Sequence, residues 1–372
     1  MTRTFGSRRG AIGVDFADGG LRIAQLAERG DQWAVAGAAS VDVEPAAFRA
    51  MTPERQREVI RSLISGSGCR GRRCVVRLPR ESVHVQSARL PTMPAAELRQ
   101  AVAFEVADRL GVDRALIEAD SISVSAGSAP EGRSEVIMLA ARRDESLQLL
   151  EPLMAAGLRP IAAEPELVSI SRIVSRRLRR ATDGDTVQAV VNVEARGSTL
   201  LVMQGGEPVV VKTLQTGGDA FGAAIVERLR LDEAAVASLR RERRALRAGD
   251  PSEGRTEDEV GQKVFDVVRP IMAELGRELV LCLRYYGVTF RGQPPQRIIL
   301  TGADAHEPGL DRVLAEATRL PAVIEDLDGV LASGAITSRG GPVGPTAGSW
   351  CVAAGLSLRP MLSAGGRGVR AA

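Results

Sequence analysis

Few residues in this chain have the type and spacing that chemistry demands. The four cysteines, Cys69, Cys74, Cys282 and Cys351, include no C-x-x-C pair. Neither histidine, His84 or His306, lies close enough to Cys69 and Cys74 to suggest a zinc set. The thiols read as free cysteines of a reducing compartment. Neither histidine has a companion nucleophile or carboxylate pattern, so neither is assigned catalysis. What remains is a carboxylate beside a glycine turn. Asp15 sits near the end of the apolar run Ile12 to Phe16, and Asp18-Gly19-Gly20 follows. The shape recurs downstream, where Asn192 lies in the run Val190 to Val193 and Gly197 marks the turn. Asp15 to Gly20 is five residues, and so is Asn192 to Gly197. Taken alone, Asp15 reads as a turn carboxylate that satisfies backbone N–H groups.

The elements that must position these residues also come in pairs. Leu21 to Leu26 reads as a strand after the first turn, and Arg29-Gly30-Asp31 turns into a third strand around Trp33 and Val35. Thr199 to Met203 and Val209 to Val211, joined by Gly205-Gly206, repeat that order. One plan used twice predicts two lobes. Between them lies a different unit. Cys74 to Leu78 and Val83 to Leu90 read as strands. Thr92 is placed to cap a helix from Pro94 to Leu110, with Leu98, Val102, Val106 and Leu110 forming its apolar stripe. Strands follow at Ile117 to Ser125 and Glu135 to Ala141, and a helix from Glu145 to Ala156 closes the unit. Asp219, after the Gly217-Gly218 turn, stands where an N-cap carboxylate would start a helix to Leu229. Val264 to Tyr286 predicts about six helical turns, stopped by Gly287. Arg297 to Thr301 is a short strand running into Gly302. The Gly- and Pro-rich segment 331–349 predicts a loop, and Trp350 to Leu358 a last helix. The Gly- and Arg-rich tail predicts disorder.

Composition bounds the rest. A chain of 372 residues, 44% apolar, exceeds one ordinary core. No stretch reaches the ~20 uninterrupted apolar residues of a membrane span. After Arg3, Arg8 and Arg9 the chain meets Asp15 and Asp18 instead of a long apolar run, so export is not expected and the location is cytoplasmic. With 49 basic and 46 acidic residues the net charge is +3, which gives no nucleic-acid footprint. The arginine-rich run 240–247 reads as a solvated helix face, since no aromatic residues interleave with it.

The residues together resemble a known superfamily. Ile12 to Phe16 with Gly19-Gly20 is similar to the first phosphate loop of actin/Hsp70 proteins, Val191 to Leu200 to the second, and Ile298 to Gly302 to the adenosine loop. Within it the chain resembles the PilM family, the actin-like component of type IV pilus and related secretion machines. Leu78-Pro79-Arg80 with Val83 to Pro91, Phe104-Glu105, Ala140-Ala141-Arg142, Glu164-Pro165-Glu166, Gly217-Gly218-Asp219, Leu281 to Tyr286 and Ala353 to Leu356 carry that narrower likeness. It implies an α/β fold of two actin-like, ribonuclease H-like lobes around a nucleotide cleft, with an inserted strand-helix-strand-strand (SHS2) domain. The expected division is residues 1–79 with 161–185 as lobe 1 and 80–160 as the insert. Residues 186–358 form lobe 2, with a subdomain at 213–296, and 359–372 a disordered tail.

The resemblance also implies a role. Such a protein binds the cytoplasmic tail of a single-span, PilN-like membrane protein in a groove beside the insert, and reaches the inner membrane only through partners. The cleft residues it marks are Asp15, Gly19, Gly20, Asn192, Gly197, Gly217, Gly218, Arg240, Gly302 and Ala303, with Asp15 the metal-side candidate. Glycines admit backbone N–H groups to phosphates, and carboxylates hold Mg²⁺ through water. The departures argue against hydrolysis. Ala17 and Asp18 replace small family residues, Asn192 replaces an acid, Glu194 replaces a glycine, and Ala237 with Arg240 faces the ribose position. Binding of ATP with Mg²⁺ stays open. An active ATPase or kinase of the superfamily is the alternative, weakened because Asn192 cannot act as a general base. Tyr285 and Tyr286 are expected to pack at the lobe interface. Glu164 and Glu166 read as helix N-terminal carboxylates.

Overall fold

Alternating apolar residues and glycine turns build the first sheet. β1 (Ile12–Ala17) turns through Asp18-Gly19 into antiparallel β2 (Gly20–Arg29), which pairs with β3 (Gln32–Val41). Gly20 has φ +142°, and a Cβ there would press on the Val41 carbonyl at 2.5 Å. The turn therefore requires glycine. After α1 (Pro45–Ala50), Thr52 caps α2 (Pro53–Ser67) by accepting from the Arg55 N–H at 3.4 Å. β4 (Arg73–Arg77) then returns parallel to β1. The computed structural model describes residues 8–29, 32–124, 132–178, 181–249, 259–325, 327, 337–338, 341–342 and 347–362.

The insert follows as β5 (Val83–Pro91), α3 (Ala95–Leu110), β6 (Ile117–Val124) and β7 (Arg133–Arg142), giving a sheet of order β5-β7-β6. Period-two alternation decides its two faces. Val136, Met138 and Ala140 pack with Leu98, Val102 and Val106 of α3. Ile137 and Leu139 point the other way, into a core shared with both lobes. Thr92 does not cap α3, because its hydroxyl is engaged with Ser134 at 3.0 Å and Pro94 holds the N-cap position. Leu110, expected in the apolar stripe, is exposed.

α4 (Arg143–Ala155) was expected to close the insert. It packs instead into lobe 1, where Leu153 joins Ile60, Leu63 and Phe48. β8 (Arg159–Glu164) completes the sheet order β3-β2-β1-β4-β8. α5 (Glu166–Ser175) then crosses to lobe 2, with Glu166 through Val174 all buried. There β9 (Val187–Glu194), β10 (Gly197–Gln204) and β11 (Glu207–Leu214) repeat the first meander. Next come α6 (Gly218–Leu229), α7 (Glu233–Gly249), α8 (Glu259–Phe290), β12 (Ile298–Thr301), α9 (Leu310–Thr318) and β13 (Ala322–Ile324). The sheet order β11-β10-β9-β12-β13 mirrors that of lobe 1, with β12 parallel to β9 as β4 is to β1. β14 (Thr337–Ser338) and β15 (Gly341–Pro342) pair within the segment expected as loop, most of which lies outside the described residues.

Several expectations are corrected. Asp219 lies in the first turn of α6, and Gly217 is the N-cap. Gly287 does not stop α8, because Tyr286 and Phe290 anchor the helix on either side of it. The chain leaves α8 at Arg291, with φ +50°. Tyr286 stacks on Phe290 inside lobe 2 at 5.8 Å, and Tyr285 faces solvent, so neither seals the lobe interface. The last helix, α10 (Cys351–Leu362), extends past Leu358 and belongs by packing to lobe 1. Its Ser357 hydroxyl donates to the Ala11 carbonyl at 2.7 Å and accepts from the Leu26 N–H at 2.9 Å. The expected disordered tail is thus helical to Leu362, and residues 363–372 lie outside the described residues.

α10 meets α5 at a glycine. A Cβ on Gly355 would collide with the Ser169 carbonyl, whereas a Cβ on Gly66 in α2 would meet nothing within 4 Å. Gly355→Ala is expected to destabilise by about 1–3 kcal/mol. Gly66→Ala should stabilise by roughly 0.5–1 kcal/mol through helix propensity. Urea unfolding of the two variants checks the contrast.

Candidate functional site

The ends of β1, β4 and β9 meet the first turn of α5 between the lobes. Strand alternation turns the side chains of Asp15 on β1 and Arg77 on β4 toward the same space. Arg77 Nη1 donates to Asp15 Oδ1 at 3.1 Å, and Nη2 pairs with Glu166 Oε2. Glu166 also accepts from the Thr199 hydroxyl of β10 at 2.5 Å and lies 3.7 Å from Arg80 Nε. One guanidinium therefore joins a lobe 1 strand to the connecting helix, and through Glu166 and Thr199 to lobe 2. All three charged groups are buried.

Electrostatics follow from that burial. Desolvation works against the Arg77 charge, but Glu166, Asp15 and Glu194 outweigh it and raise its pKa further. For Asp15 burial wins and its pKa is raised, although Arg77 and Arg22 pull it down. For Glu166 the balance reverses. Burial raises its pKa, but Arg77, Arg80 and the Thr199 hydroxyl lower it overall. Glu194, at the end of β9, is 1% exposed, and its Oε2 has no hydrogen-bond partner among the described residues. Burial pushes its pKa up to about 7, against the pull of Arg77 and Arg22. Arg22 Nη1 and Asp15 Oδ2 are likewise buried without partners. Unsatisfied atoms of both signs gather in one place, where trapped water can serve them.

A second set of ion pairs closes the mouth. Asp18 of the first turn accepts from the Arg196 backbone N–H at 2.9 Å and from its guanidinium at 2.7 and 2.9 Å. Arg196 also reaches Glu81 at 3.2 Å. Burial alone would raise the Asp18 pKa, but the Arg196 hydrogen bonds and the Arg77 charge lower it. The two glycine turns are thus tied to each other directly.

The other expected residues cluster next to this floor. A Cβ on Gly197 would collide with Arg80 Nη1 and the Leu214 carbonyl. A Cβ on Gly217 would strike the Gly197 N–H and the Glu194 carbonyl, and one on Gly302, at φ +98°, the Val193 carbonyl. These glycines permit close backbone packing of one turn on another. Asn192 accepts from the Thr301 hydroxyl at 3.0 Å, which ties β9 to β12. Gly218 faces the Asp304 carboxylate, which occupies the space a side chain would take. Arg240 of α7 does not stand free at a ribose position. It pairs with Asp304 at 2.7 Å and Glu307 at 2.8 Å, with its guanidinium 5.7 Å from the centre of the Phe221 ring. Arg244 joins Asp304 as well. Ala303 is half-buried beside them, and Ala237 is exposed. Gly19 and Gly20 form only the turn.

Asp15 Oδ1 is engaged by the Arg77 guanidinium, while its Oδ2 has no hydrogen-bond partner among the described residues. The residues that sequence reasoning missed are Arg77, Arg80, Arg196 and Asp304. Arg77 had a signal: it is the charged residue in the otherwise apolar run Cys74 to Leu78. Glu166 is indeed at a helix N-terminus, as expected, but its main partner is Arg77. Glu164 is held by Arg172 and Arg359, which fixes α5 and α10 to β8.

Two five-stranded sheets of the same plan, joined by a buried helix and carrying an insert, define an actin-like protein. A family model for the type IV pilus assembly protein PilM matches residues 13–361. The chain belongs to that family. Among solved structures it is similar to a PilM–PilN type IV pilus biogenesis complex, with 23% identity and a TM-score of 0.75 over 95% of this chain and 99% of that one. It is also similar to the ethanolamine utilization protein EutJ from Carboxydothermus hydrogenoformans, with 11% identity and a TM-score of 0.54 over 96% and 92%. No curated protein matches the sequence. Among the described residues no helix is long and apolar enough to cross a membrane.

Arg77→Ala leaves Asp15 and Glu166 buried without their main counter-charge and should cost about 3–5 kcal/mol, read by urea unfolding. Glu194 gives a pH signature. Its folded pKa of about 7 exceeds the ordinary 4.5, so the folded state holds the proton more tightly. Stability is unpenalised below about pH 4.5 and falls as pH rises toward 7. Glu194→Gln removes a penalty on the order of 3 kcal/mol. The advantage of the variant over wild type should be absent near pH 4.5 and full by pH 8. An advantage flat across that range would contradict a proton held by burial.

Proposed function

We propose that this chain is an adaptor of a type IV pilus or related secretion machine, which binds the cytoplasmic tail of a single-span, PilN-like membrane protein. We further propose that its cleft is held shut by its own ion pairs and does not hydrolyse ATP. The observation that carries the second statement is the Arg77 bridge between Asp15 and Glu166. In a nucleotide-using relative such carboxylates would serve Mg²⁺, and the loop N–H groups would serve phosphate. Here a guanidinium neutralises the acids, and the Arg196 N–H is spent on Asp18. Asp304 fills the space over Gly218. Asp219 adds a further negative group, its pKa raised by partial burial and then by Asp304 and Asp18. The residues present do not fit a metal–triphosphate.

Family membership and the fold shared with a PilM–PilN complex support the adaptor reading. The fold also offers a landing place. β5 is an outer strand of the insert sheet. Beside it runs a crevice lined by Leu78, Arg80, Val83, Val85, Leu167 and Thr213, where insert and both lobes meet. Its volume is only about 20 Å³. A partner would thus engage the rim with an extended backbone and small apolar side chains, not with one large anchor. Such a tail peptide would hold the protein at the inner membrane.

Calorimetry with the cytoplasmic peptide of a PilN-like protein from the neighbouring reading frame tests this. A Kd in the micromolar range, roughly −8 kcal/mol, is expected, and it should not change when Mg²⁺-ATP is added. Absence of binding by every candidate tail would overturn the adaptor reading. Phosphate release that disappears in Asp15→Ala would overturn the closed cleft.

A further inference from the structure

α8 carries apolar residues on two opposite faces at its C-terminal end, but lobe 2 uses only one of them. Leu279, Cys282, Tyr286 and Phe290 fill the lobe core. On the opposite face Leu281, Tyr285 and Val288 follow at i, i+4 and i+7, with exposures of 53%, 51% and 75%. A surface helix normally carries polar residues there. Three large apolar side chains in two turns are a stripe, not scattered exposure. Gly287 lies in the same stretch, and a Cβ on it would meet nothing within 4 Å, so the helix surface is open there.

The charges beside the stripe are one-sided. Arg277 and Arg284 lie on one flank at a spacing of seven residues, and Arg291 follows just past the end of the helix. Arg277 is paired only within its own helix, to Glu274. Arg284 and Arg291 are exposed and have no ion-pair partner among the described residues. On the other flank Glu278 is already paired with Lys212 of β11. The stripe is therefore apolar with an arginine rail and no free acid.

We infer that this face of α8 is a second docking surface, and that it receives an acidic amphipathic helix of another protein. Apolar residues at i, i+4 and i+7 match the anchor spacing of such a helix. Acidic residues on its edge would meet the arginine rail, and tyrosine with arginine is the composition of binding hot spots. A second copy of this chain fits poorly. A two-fold contact sets the same patch against itself, bringing Arg284 and Arg291 of each copy together without free acids to balance them. A membrane fits poorly too. The stripe is two turns long, and cations line one flank only, where an interfacial helix presents a broad apolar face and a basic polar one. The surface is separate from the crevice beside β5 and does not depend on it.

The test places photoreactive benzoylphenylalanine at position 285 of the full-length chain in its native cells. The expected product is an ultraviolet-dependent adduct to a different protein, at a segment that mass spectrometry shows to be amphipathic and acidic. The double variant Arg284→Glu with Arg291→Glu should lower the adduct yield on the order of tenfold. Lysine substitutions in the acidic segment should restore it. Both arginines are exposed, so the variant's melting temperature should equal that of wild type. The purified variant should also bind the PilN-like tail peptide as wild type does. An adduct to a second copy of this chain, or none at all, would overturn the inference. So would flotation of the wild type on phosphatidylglycerol vesicles that the double variant abolishes. A lost affinity for the tail peptide would merge this face with the first site and overturn its independence.

Discussion

Arg77 brings a full positive charge into the space between two lobes, where water cannot solvate it. An isolated buried charge costs several kcal/mol, so the surrounding structure must answer it. Asp15, Glu166 and the end of β9 supply the answer from three directions. That requirement fixes more than a contact. It sets β4 beside β1 at the right register, it draws the first turn of α5 into the cleft, and it places β10 where Thr199 can donate to Glu166. The network does not prove high stability, since an apolar replacement of the whole set can be as stable. It enforces one arrangement, because any slip leaves a buried charge unpaired.

The lobes are also joined by covalent crossing. α5 leaves lobe 1 toward lobe 2, and α10 returns from lobe 2 to lobe 1. The two helices pack where Gly355 admits the Ser169 carbonyl, and Arg172 donates to the Gly355 carbonyl at 3.1 Å. Hinge motion about such a pair is resisted by apolar packing as well as by charge. The Asp18–Arg196 pair then acts at the far side of the cleft, at the tips of the turns. The first is a buried connection and the second a half-exposed one, so the second gives way more readily to salt.

Much of the fold was legible because it rests on local rules. The repeated spacing from Asp15 to Gly20 and from Asn192 to Gly197 does correspond to two matched meanders, since a strand must turn where glycine allows it. Helix ends were less legible. Thr92 and Gly287 carry the usual cap and stop signals, but Ser134 and the Tyr286–Phe290 anchor override them through tertiary contact. The allocation of α4 and α10 failed for a related reason. Sequence order puts each next to one domain, and its apolar face fits another. At the site the glycines and Asp15 were visible, but their use was not. Whether a carboxylate faces a metal or a guanidinium depends on a residue 62 positions away, and no local pattern records that distance.

An actin-like cleft presents a physical problem to any protein that gives up nucleotide. Two glycine turns with exposed N–H groups face each other, and acids lie beneath them. In a nucleotide-using protein phosphate takes the N–H groups and metal neutralises the acids. Without them the turns would repel or collapse. In the closed cleft proposed for this chain, both halves are answered by its own side chains. An acid, Asp18, takes a turn N–H, and a cation, Arg77, takes the floor acids. On that proposal the exchange is complementary in sign: anion for phosphate, cation for metal. A cleft closed in this way would set the relative lobe position by sequence and not by a ligand concentration. A partner that reads surfaces spanning insert and both lobes would then meet them already assembled, with less ordering cost to deduct from its affinity.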